Sequence, residues 1–148
     1  MEQEKKCIDL VADKFAEQEQ EYKDARKWYD EYEEATEGEQ IAMNVITEKN
    51  GDYFNEYDNY YEWIIDQFLG FDFVEPFTFG EDQKAGYWRL QISWGGPSSE
   101  FRIYVDSNDN IGAVEYWYMD WFDGAYVEVG EDSECFNICQ DLIDTIRY

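Results

Sequence analysis

Histidine is absent from this 148-residue sequence, and cations are scarce: 11 Lys and Arg stand against 36 Asp and Glu. Without imidazole, the usual general base of nucleophilic catalysis and the commonest nitrogen ligand of zinc are both missing. The three cysteines, Cys7, Cys135 and Cys139, make a poor zinc set and an odd number for a disulfide framework. No apolar run approaches the ~18 residues of a membrane span. Met1-Glu2-Gln3-Glu4 opens polar, so neither a leader nor a membrane association is expected, and the thiols fit a reducing cytoplasm. No basic cluster exceeds Lys5-Lys6 or Arg26-Lys27, which argues against direct binding of nucleic acid. Internal repeats and long linkers are also lacking, so a single domain over 1–148 is expected.

What the sequence does hold is charge of one sign together with aromatic mass. Its formal net charge is −25, yet 44% of its residues are hydrophobic, with 6 Trp, 13 Tyr and 10 Phe. A disordered acidic chain would lack the aromatics, so a folded core is expected. Like charges at helical spacing each destabilise by ~0.2–0.5 kcal/mol, and so large an excess is not explained by stability. It points to a basic partner.

From Glu2 to about Thr36 there is no Gly or Pro, and Ile8, Val11, Phe15, Tyr22, Ala25, Tyr29 and Tyr32 step by threes and fours. This spacing predicts a long amphipathic helix closed at Glu37-Gly38, then a short helix over Gln40–Lys49. A third helix is expected from an Asp52 cap to Leu69, stopped by Gly70. Phe71 to Phe77 reads as an aromatic connector. Period-2 alternation then begins: Trp88, Leu90, Ile92 and Trp94 share one face, and Phe101, Ile103 and Val105 repeat the pattern. With Ile111–Phe122 and Ala125–Val129 these segments predict a four-stranded antiparallel meander within 86–129. Asp132 or Ser133 caps a closing helix over 132–147, with Cys135, Ile138, Cys139, Leu142 and Ile146 on its apolar stripe. The expected fold is α+β: helices over 2–70, then sheet, then helix.

Several site signals dissolve on inspection. Asp106-Ser107-Asn108-Asp109-Asn110 resembles the start of a calcium loop, but the sixth position is Ile111 and the twelfth Trp117, where Gly and Glu are needed, so a polar hairpin turn is expected. The cysteines fall on an apolar stripe and read as core. Asp120 and Asp123, flanking Trp121-Phe122, could serve as acid and base on a sugar, but a chain with this many acids always supplies such a pair. Gly95-Gly96-Pro97 lacks the helix and Lys of a phosphate loop. No enzyme, metal or cofactor is expected.

The carboxylates of the helical half are organised. Asp13, Glu17, Glu21, Asp24, Glu31 and Glu34 step by 4, 4, 3, 7 and 3, which places neighbours ~4.5–6 Å apart along a helix axis for steps of three or four. DNA phosphates rise by ~3.4 Å per strand, so such a row can imitate a backbone edge in charge. Between Lys27 and Lys49 lie Asp30, Glu31, Glu33, Glu34, Glu37, Glu39 and Glu48 with no cation, and the interval after Lys49 begins with Asp52, Glu56, Asp58 and Glu62. Ordinary solvated faces mix both signs. Residues 1–70 hold 20 acids and 7 bases, leaving −13, and 71–148 hold 16 and 4, leaving −12. Only the helices arrange their acids in rows.

Extreme acidity, small size, aromatic richness and the lack of His resemble the DNA-mimic inhibitors that phages and plasmids use against restriction enzymes and CRISPR effectors. The resemblance implies a basic nucleic-acid-binding partner in the host cytoplasm, contacted through Asp13, Glu17, Glu21, Asp24, Asp30, Glu31, Glu33, Glu34, Glu37, Asp52, Glu56, Asp58 and Glu62. The alternative is an immunity protein or regulatory module that grips one toxin or enzyme through aromatic anchors such as Trp117, Tyr118 and Trp121. Homodimerisation through Phe15, Tyr22, Tyr29 and Tyr32 of the first helix is a further possibility, against packing of that seam on the chain's own sheet.

Overall fold

The computed structural model describes residues 6–49, 57 and 59–146. The fold is α+β, with α1 (Cys7–Glu34), α2 (Glu37–Lys49), α3 (Tyr60–Asp66), strands β1 (Gly70–Val74), β2 (Tyr87–Ser93), β3 (Ser98–Val105), β4 (Ile111–Asp120) and β5 (Asp123–Glu128), and α4 (Glu134–Ile146). The chain divides into two compact bodies, Met1–Glu19 with Phe68–Tyr148, and Gln20–Gln67. Of α1, the residues up to Glu19 belong to the first body and those from Gln20 to the second.

In the first body the five strands form one antiparallel meander in the order β1-β2-β3-β4-β5. Four strands were expected, and β1 is the addition. Its Phe71 and Phe73 alternate with Asp72, so the expected aromatic connector carries the period-2 signature of a strand. The pairing is held by side chains on both faces: Phe71 and Phe73 pack on Trp88 at 5.2 and 5.3 Å, and Arg89 clasps Asp72 through two nitrogens at 3.1 and 2.8 Å. Register assigns the faces. Leu90 pairs with Phe101, Phe101 with Tyr116, and Ile103 with Val114, and all five are buried.

That inner face carries the core. Phe15 of α1 packs tilted against Tyr116 at 5.6 Å, and Tyr116 meets Phe101 at 5.5 Å. Burying an aromatic ring of this size contributes about 1.5–3 kcal/mol. The apolar stripe of α4, Cys135, Ile138, Cys139 and Ile143, is fully enclosed. Two carboxylates from distant sequence fasten the helix ends. Asp123 Oδ2 accepts the Cys7 backbone N–H at 2.7 Å, and Glu19 accepts those of Glu134 and Cys135 at 3.1 and 2.8 Å. Ser133, whose Oγ accepts from Phe136 N, completes the N-cap of α4 as expected.

The second body is helical. Tyr22, Ala25 and Tyr29 of α1 are fully buried, Tyr22 against Trp63 and Tyr29 against Tyr60, both of α3. The aromatic seam of α1 therefore splits: Phe15 packs on the sheet, Tyr22 and Tyr29 on α3, and Tyr32 on Trp28. Two expected boundaries are corrected. Glu37-Gly38 opens α2 instead of ending α1, because Thr36 caps it: its Oγ1 accepts from Glu39 N and its carbonyl from Gln40 N. Likewise α3 begins at Tyr60, since Asn59 is extended (φ −155°) and its side chain accepts the Glu62 N–H. Asp52, expected as that cap, lies outside the described residues. Gly70 begins β1 instead of stopping the helix.

Candidate functional site

At about 100° per residue, Asp13, Glu17, Asp24 and Glu31 fall within about 40° of one another on α1, opposite the stripe of Val11, Tyr22 and Tyr29. All four are exposed. They sit there because good helix formers with no packing duty fill the solvent side of an amphipathic helix. Glu21 and Glu34 border this row and are exposed, while Lys27 also lies at its edge. Desolvation raises the pKa of Glu21, although the residue as a whole is open to solvent. Asp30 and Glu33 lie more than about 90° away from the row, so these two of the expected contact residues do not share its face. Asp30 faces Arg26 at 3.6 Å, and Glu17 faces Lys14 at 3.7 Å, both as exposed pairs. Such pairs contribute ~0–1 kcal/mol and leave the field negative. Asp24 accepts from Gln20 Nε2 at 2.8 Å.

The remaining acids are distributed elsewhere. Glu37 stands in the first turn of α2 and Glu62 in that of α3, both exposed, where the helix dipole favours them. Asp52, Glu56 and Asp58 lie outside the described residues. Among the described residues no helix is long and apolar enough to cross a membrane, and no cluster of three or more His, Cys, Asp or Glu is placed to hold a metal.

The chemistry weighed for the other motifs is accounted for locally. Asp106 Oδ1 accepts from Asn108 N and Asn110 N at 2.8 and 3.0 Å, closing the β3–β4 hairpin turn. Cys7, Cys135 and Cys139 are free and buried, and burial pushes all three thiols up. A raised thiol pKa suppresses the nucleophilic thiolate.

The aromatic anchors resolve differently from one another. Tyr118 points into the core. Trp117 lies on the opposite sheet face, stacked on Tyr126 at 4.8 Å and covered by the Arg102 guanidinium at 3.9 Å. Neither is available as an anchor, because register alternates the two rings between core and a cation-capped stack. Trp121 is 90% exposed, and its neighbour Phe122 is fully exposed. Both form the β4–β5 turn, at the same end of the meander as the β2–β3 connection bearing Trp94, which is 68% exposed. Trp94 and Phe122 were missed in sequence, although the signal existed: large apolar side chains in turn segments have no core to enter. A cavity of about 600 Å³ is lined by Trp121 and Phe122 together with Lys6, Cys7, Tyr118 and Asp120 among others.

Comparison of the chain with protein-family models, with curated proteins and with solved structures finds no match, so the surfaces above carry the functional reading by themselves.

Proposed function

We propose that the protein is an acidic inhibitor that imitates nucleic acid: it occupies the basic DNA- or RNA-binding channel of a host defence nuclease or CRISPR effector and excludes the true ligand by competition. The observation that carries this is the exposed row Asp13, Glu17, Asp24 and Glu31 on a helix of a chain with net charge −25. A helix spaces such charges regularly along one side, and a one-signed field steers the encounter. Expression of the protein in a bacterium proficient in restriction or CRISPR immunity should raise the plating efficiency of a targeted phage. Glu17→Lys, Asp24→Lys and Glu31→Lys together should abolish the effect while the protein still folds. Protection that survives this triple reversal contradicts the proposal.

A second reading, an immunity or regulatory module, is favoured by the exposed ring of Trp121. Binding of that kind survives high salt, whereas carboxylate mimicry weakens steeply with it.

A further inference from the structure

At the sheet end that carries Trp94, Trp121 and Phe122, each of the three large rings is exposed, which a folded chain of this size does not need for stability. Trp121 is also held in an unfavourable backbone conformation. It has φ +56° at the first central position of a two-residue connection between Asp120 and Asp123, a place ordinarily given to Gly. A bulky residue in the left-handed region points to a role for its side chain beyond folding. The neighbouring loop makes room: a Cβ on Gly96 would come within 3.3 Å of Asp120 Oδ1 and 3.9 Å of Trp121 Nε1. Gly95, Gly96, Ser98, Met119 and Trp121 together line a second cavity, of about 310 Å³.

The carboxylates at this end set what it can take. The side chain of Asp120 makes no hydrogen bond or ion pair among the described residues, whereas Asp123 is committed to the Cys7 N–H. An indole face beside an uncommitted carboxylate suits a cation with an apolar stem. A second copy of this chain is disfavoured as occupant, because each copy carries −25.

We infer that the Trp94–Trp121–Phe122 end is a second anchor for the partner, and that it receives a basic, partly apolar segment whose Lys or Arg lies on the Trp121 indole with its charge at Asp120. This rests on the proposed basic partner but uses a different surface from the α1 row. The anchor supplies apolar and cation–π grip, and the helix row supplies steering.

The probe is the peptide acetyl-Arg-Leu-Arg-Leu-Arg-Leu-amide, with the Glu-for-Arg peptide as control, followed by the Trp indole N–H resonances in ¹⁵N-labelled protein. The Arg peptide should shift the Trp121 signal saturably and the Glu peptide should not. Trp121→Gly should weaken binding about three- to thirty-fold, the worth of a cation–π contact, while its thermal midpoint stays level or rises because glycine accepts the positive φ. A rise in stability with a loss of binding separates an anchor from a structural residue. Asp120→Asn should weaken binding of the Arg peptide in the same sense. Unchanged affinity in Trp121→Gly, equal binding of the Glu peptide, or protection of the indole by self-association at rising protein concentration each overturns the inference. Triple reversal of Glu17, Asp24 and Glu31 to Lys separates the two surfaces. If it removes inhibition while the peptide shift persists, both stand; if inhibition survives it but Trp121→Gly loses the peptide, only the helix reading falls.

Discussion

Arg102→Met removes the guanidinium that joins three groups on the outer sheet face. Arg102 Nε pairs with Glu100 Oε2 at 2.9 Å, and its guanidinium lies 3.9 Å from the centre of the Trp117 ring and 4.9 Å from that of Tyr87. The side chains of the ion pair are 17% and 9% exposed, so this pair is enclosed, unlike those on α1. Methionine keeps the apolar stem but strands the Glu100 carboxylate. Removing one partner of a buried pair destabilises by about 3–5 kcal/mol, much of it the penalty of an uncompensated charge. At this chain length each kcal/mol moves the thermal midpoint by about 2–4 °C, so a loss of about 6–20 °C is expected. Pairing it with Glu100→Gln removes the stranded charge, so the double variant should recover most of the loss. Urea unfolding followed by tryptophan fluorescence and by circular dichroism gives both values. A cost below about 1 kcal/mol for Arg102→Met, or a double variant no more stable than the single, shows that water reaches Glu100 and contradicts an enclosed ion pair.

Glu19→Ala deletes the acceptor for two N–H groups at the start of α4 and should destabilise by about 1–2 kcal/mol in the same assay, with Glu19→Gln intermediate. The N–H of Cys7 holds the Asp123 carboxyl below its ordinary value of 3.8. A depressed carboxyl contributes stability that is fully present above the unfolded pKa and is lost as pH falls through the folded one. The midpoint of Asp123→Asn should therefore lie below that of the native protein near neutrality and converge with it as the pH falls through the carboxylate range and below. A constant gap across that range contradicts the role of the charge. With desolvation raising Cys135 and Cys139, both fully buried, a thiol reagent should label neither in the native protein at pH 8 and both in denaturant. Rapid native labelling of Cys135 or Cys139 would contradict their enclosure.

The elements that could be read from sequence were those whose periodicity agreed with their packing. The Val11, Tyr22, Ala25 and Tyr29 stripe and the Phe101–Ile103 alternation each point the same way locally and in the fold. The acids of the α1 row were legible for a related reason: opposite a clear apolar stripe, position on the helix decides exposure. β1 was hidden because its alternation spans only five residues before Pro76, too short for a period to stand out. The start of α3 was misplaced because Tyr57, Tyr61 and Ile64 keep helical spacing across Asn59, whose extended backbone no periodicity reports. The fates of Trp117, Tyr118 and Trp121, adjacent or nearly so in sequence, depend on register and on the turn. Tyr118 faces Ala125 inside, Trp117 faces Tyr126 outside, and Trp121 has no cross-strand partner. Such one-residue distinctions come from tertiary pairing.

The most direct measurement is displacement of a fluorescent DNA duplex from a panel of restriction nucleases and CRISPR effectors, followed by anisotropy at 50 and 200 mM salt. Nucleic-acid mimicry by α1 predicts displacement from at least one of them at low salt, a loss of affinity of about tenfold or more at the higher salt, and none by the Glu17→Lys, Asp24→Lys, Glu31→Lys variant. Failure to displace DNA from every enzyme at low salt, or displacement by the variant equal to that by the native protein, contradicts nucleic-acid mimicry by α1.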